Sequence, residues 1–106
     1  MPVIPTGFIR QADLDAEVSR AVSKLGPEVL RVKHVVQPDT GGDPAIYFRI
    51  ILTDSATRSK VPGDTTQKIR ALLNRELQPR ERWDLIPHFN FRTESEQAAL
   101  NDPMWS

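Results

Sequence analysis

Arg31 and Lys33, Tyr47 and Arg49, and His88, Asn90 and Arg92 recur two apart along β-like stretches. That alternation sends each group to one side of its strand. Laid side by side, the three groups form a face of cations with ring and aliphatic surface between them, Ile51 and Ile86 included. Such a face is suited to stacking and to contact with phosphates or carboxylates. The same pattern also describes the solvated side of an antiparallel hairpin. It describes a self-association surface equally well, because Tyr47, Ile51 and Ile86 would otherwise leave apolar area in water.

A second group is Arg58, Lys60, Thr65 and Thr66, around the start of a helix, where free N–H groups, hydroxyls and cations could converge on an anion. Asp64 works against that site, because a carboxylate at the N-cap already satisfies the helix end. Gly63 stands without the glycine spacing of a phosphate-binding loop. The plainer reading is a solvated loop before a well-capped helix. His34 and His88 are the histidines of the chain, and strand alternation puts them on opposite faces. No third ligand joins them, so no metal site is expected. His34 falls among Leu30, Val32 and Val36 and reads as a half-buried core residue, while His88 is the more accessible. Glu76 interrupts an apolar stripe, which calls for a partner, such as an arginine of the sheet or tail, or for an overhanging, wet position.

No nucleophile, base and oxyanion set assembles in the chain, and no metal-binding helix or nucleophile elbow occurs. The carboxylate pairs Asp13/Asp15 and Glu94/Glu96 lie at helix starts, where the dipole accounts for them. The expectation is a non-catalytic domain without a cofactor. The absence of cysteine excludes disulfides, thiolate metal sites and Cys nucleophiles. Fourteen Lys and Arg balance fourteen Asp and Glu, which disfavours capture of nucleic acid by bulk charge. The balance is uneven along the chain: residues 45–82 hold 8 basic against 4 acidic residues, and residues 83–106 hold 1 against 4. Apolar runs are far too short for a membrane span or a signal-peptide core, and a cytoplasmic, soluble domain is expected.

The elements that must position these residues follow from periodicity. Residues 1–12 read as an extended apolar arm, broken by Pro2 and Pro5 and carrying Ile4 and Phe8. Asp13 is expected to cap a helix with Leu14, Val18, Ala21, Val22 and Leu25 as its stripe, and Gly26-Pro27 to stop it. Glu28 to Gln37 and Ala45 to Thr53 read as a hairpin across the Pro38–Pro44 turn cluster. Asp64-Thr65-Thr66-Gln67 has the form of a capping box for a second helix, with Pro79 ending it. A third strand is expected from Arg82 to Arg92, then a capping box at Thr93-Glu94-Ser95-Glu96 and a short helix. The order α-β-β-α-β-α predicts one α+β domain over 1–106, with residues 13–92 as an α-β-β-α-β core and 93–106 as helix and tail. Two helices should cover one face of a three-stranded mixed sheet, with the second helix joining parallel strands. The arm, through Ile4 and Phe8, and the tail, through Met104 and Trp105, should either dock across an interface or fold back over the open face.

Over about residues 14–96 this order resembles the class-II KH-like fold, which includes the BolA family and ribosome-binding factor A. Phe48-Arg49-Ile50-Ile51-Leu52 is similar to the second strand of the BolA family, and Asn74-Arg75-Glu76-Leu77 to the end of its helix. His88 stands at the opening of the third strand, as a family histidine does. The resemblance implies partnership with a monothiol glutaredoxin, with His88 as a ligand to a shared iron–sulfur cluster, or contact with nucleic acid. The functional expectation places association with a protein partner or a second copy first. RNA or DNA binding by the cationic sheet face is the alternative, and the glutaredoxin partnership the second alternative.

Overall fold

Leu14, Val18 and Ala21 recur on one side of the first helix, α1 (Gln11–Val22), and all three are buried in the computed structural model. The structure describes residues 10–55 and 63–105. The helix begins one turn earlier than Asp13 suggests: Arg10 is the N-cap, and Asp13 lies in the first turn, paired to Arg10 at 2.9 Å. A carboxylate there still meets the positive end of the helix dipole. Gly26 does not take the left-handed position expected of it. The helix instead unwinds through tight turns, with Lys24 and Leu25 N–H donating to the Ala21 and Val22 carbonyls, so no reversal is needed.

The hairpin is β1 (Val29–Pro38) and β2 (Pro44–Leu52), antiparallel as expected. Its loop is closed by Asp39, whose Oδ1 accepts from the Gly41 and Asp43 N–H groups. Gly42, at φ 83°, supplies the left-handed step. The second helix, α2 (Asp64–Leu77), crosses over to β3 (Ile86–Thr93), which runs parallel to β2. The sheet order is β1-β2-β3, with β2 central.

Two local expectations change here. Gly63, at φ 77°, is the N-cap of α2, so Asp64 and Gln67 do not form a capping box. Asp64 pairs instead with Lys68 one turn on, at 2.9 Å. Pro79 does follow α2, but as the first residue of a further short helix, α3 (Pro79–Trp83), where its missing N–H costs nothing. The third strand therefore begins at Ile86 rather than at Arg82.

The core lies between the sheet and the pair α1 and α2. Ile46, Phe48, Ile50 and Leu52 of β2 meet Leu14, Val18, Ile69, Leu73 and Leu77. Burying each of these side chains contributes about 1.5–3 kcal/mol. One register change matters for the opposite face. Val29 pairs with Leu52 and Arg31 with Ile51, which leaves Leu30 as the extra residue of a β-bulge. Leu30 is thereby turned out of the core to 54% exposure, and Val29 packs against the core in its place.

Thr93 caps the last helix, α4 (Glu94–Leu100), in the expected capping box with Glu96. The Glu96 carboxyl is held below its usual range by the hydrogen bonds with Thr93. A 3-10 turn, Pro103–Trp105, completes the described chain.

Candidate binding face

The strand registers place all seven sheet residues on the face away from α1 and α2. Across β1, β2 and β3 they form the rows Val35–Tyr47–His88, Lys33–Arg49–Asn90 and Arg31–Ile51–Arg92. Arg31 and Asn90 are exposed, and the other five are partly buried.

In the first row the Tyr47 and His88 rings stack, with centroids 4.6 Å apart and planes 12° from parallel. His88 Nε2 is buried without a hydrogen bond, 3.9 Å from Asp39 Oδ2. Asp39 is fixed there because its other oxygen closes the hairpin loop. The second row joins two cations to the exposed amide of Asn90, and no acidic side chain stands in either row. Arginine, lysine and a ring stack at strand spacing can hold anions and flat groups together.

The third row is occupied. Arg92 Nη1 donates to Gln97 Oε1 at 3.0 Å and lies 3.4 Å from Asp102 Oδ2. Its guanidinium sits 4.2 Å from the centre of the Trp105 ring. Asn101, left-handed at φ 49°, turns the chain back from α4, and Gln97 Nε2 donates to the Asp102 carbonyl. Trp105 is thus buried inside its own chain, whereas Met104 is exposed. Of the two expectations for the tail, Trp105 follows the one in which it folds back over the sheet face of its own domain. Gln97, Asp102 and Asp39 carry no signal in the sequence, because their roles depend on a reversal after α4 and on a loop reaching across to β3.

The remaining candidates do not converge on this face. His34 lies on the helix side, where Nε2 and Asp15 Oδ1 are 2.6 Å apart. Hydrogen bonds from His34 and then Gln11 hold the Asp15 carboxyl below its usual range. Thr65 and Thr66 lie in the first turn of α2, and the Thr66 hydroxyl donates to the Gly63 carbonyl. Arg58 and Lys60, like Ile4 and Phe8 of the arm, lie outside the described residues. Glu76 finds its partner in Lys24, in the turn after α1, at 2.9 Å, rather than in the sheet or the tail. That ammonium lowers the pKa of the Glu76 carboxyl.

A cluster shared through His88 would need a ring nitrogen open to a partner. Nε2 is buried and faces Asp39, which leaves Nδ1 as the ring nitrogen for that role. Among the described residues no helix is long and apolar enough to cross a membrane. No protein-family model, curated protein or solved structure matches the chain.

Proposed function

We infer that the chain is a small non-catalytic binding module whose open sheet face takes single-stranded RNA or DNA. The observation that carries this reading is the pair of adjacent rows, Val35–Tyr47–His88 and Lys33–Arg49–Asn90, which present stacked rings beside two cations on one face. Flat bases suit the ring row, and phosphates suit Arg31, Lys33 and Arg49. A neutral chain needs only this local field, because about three phosphate contacts give a salt slope of about −2 for a single strand. Affinity is accordingly modest and falls steeply with salt.

Fluorescence anisotropy with a labelled single-stranded oligonucleotide, at low and physiological salt, tests the reading. Arg49→Glu should weaken binding at least about tenfold with the melting temperature unchanged. Absence of binding by the unaltered chain at low salt overturns it.

Association with a protein partner or a second copy, the first expectation from sequence, is the second reading. Leu30 at 54%, Leu100 at 61% and Met104 at 57% exposure favour it. Leu30 also borders a cavity of about 390 Å³ between the bulge and α4. A concentration-dependent mass in sedimentation supports this alternative. Both readings suit a cytoplasmic setting, and neither uses the KH-type clamp, since no Gly-x-x-Gly occurs in the sequence.

A further inference from the structure

We propose that the segment Asn101–Trp105 is a built-in competitor that holds the third row of the binding face shut; this rests on the nucleic-acid reading above. Arg92 belongs to the same face as Tyr47, Arg49 and His88, yet its guanidinium is already engaged by an indole at 4.2 Å and a carboxylate at 3.4 Å. A flat ring and an anion are the two chemistries a nucleotide would bring to that arginine. The chain's own tail therefore occupies Arg92 as a ligand would. Ile51, next to Arg92 in the row, is only 4% exposed and lines a cavity with Glu94, Gln97 and Ala98 of α4, so the tail's hold on the row is through Arg92.

The closure is tethered, and it buries Trp105 to 7% exposure. One left-handed residue, Asn101, sets the direction of the segment, and a single short 3-10 turn carries Trp105. A tethered competitor acts at high effective concentration without needing strong contacts. Displacing it would lengthen the platform from two rows to three and add Arg92 to the cations that meet the strand. Ligand binding and opening of the tail are then linked, each favouring the other.

Trp105→Ala, which leaves net charge unchanged, and Asp102→Asn test the proposal by anisotropy with the same labelled oligonucleotide at low salt. Asp13→Asn on the far side of the molecule controls for charge, and thermal melts confirm folding. Both tail variants should bind about three- to tenfold more tightly than the intact chain. Adding Arg92→Gln to Trp105→Ala should remove that gain. Tighter binding by the folded tail variants than by the intact chain supports the competitor. Equal or weaker binding by folded tail variants, with the intact chain still binding, overturns the competitor alone. No binding by any of them overturns both the competitor and the nucleic-acid reading.

Discussion

Tyr47 and His88 are partners in the parallel β2–β3 ladder, and their rings stand face to face at 4.6 Å because that pairing fixes their separation. The stack gives the open face a rigid aromatic edge beside Arg49 and Asn90. Tyr47→Ala should therefore weaken oligonucleotide binding by about 1–3 kcal/mol, the usual worth of one base–aromatic contact. Anisotropy reads the affinity, and a thermal melt separates it from lost stability. Unchanged affinity would remove the ring row from the site.

The bulge at Leu30 reverses what simple alternation assigns to β1. Leu30→Ser should cost less than about 0.5 kcal/mol, as at an ordinary surface position. Val32→Ser, whose side chain packs against the core, should cost several times more. Urea unfolding of the two variants measures both values, and equal costs would contradict the register.

Asp15 links α1 to His34 of β1, and its pKa is lowered in the folded chain. A depressed carboxylate stabilises the fold above its unfolded pKa of about 3.9, and that contribution is lost as pH falls through the folded value. Asp15→Asn should thus melt below the unaltered chain near about pH 6, and the gap should close toward about pH 2. A gap independent of pH would assign the effect to packing.

Gln78 ends α2 at φ 45°, a left-handed position that suits glycine better than a residue with a Cβ. Gln78→Gly should raise stability by about 0.5–1 kcal/mol, after allowing for the greater freedom of glycine in the unfolded chain. Chemical denaturation reads the sign, and a loss would show that the Gln78 side chain contributes more than its backbone strain costs.

Element order, helix stripes and the parallel crossover were legible because the periods of 2.0 and 3.6 are written strongly in β2, α1 and α2. The seven face residues were legible for the same reason. What escaped was set by local geometry or distant contact. Leu30 obeys alternation until a bulge removes it from phase. Asp64 resembles an N-cap until Gly63 takes the position. Arg92 reads as an open cation until the chain reverses at Asn101 and brings Asp102 and Trp105 onto it. Alternation assigns a face, but it cannot say which later segment covers that face.

The most direct test of the open face is a titration of the labelled chain with a single-stranded oligonucleotide, followed by amide NMR shifts. Salt-sensitive changes should concentrate at Lys33, Val35, Tyr47, Arg49, His88 and Asn90, with α1 and α2 unmoved. Shifts confined to α1 and α2, or none at low salt, would contradict it.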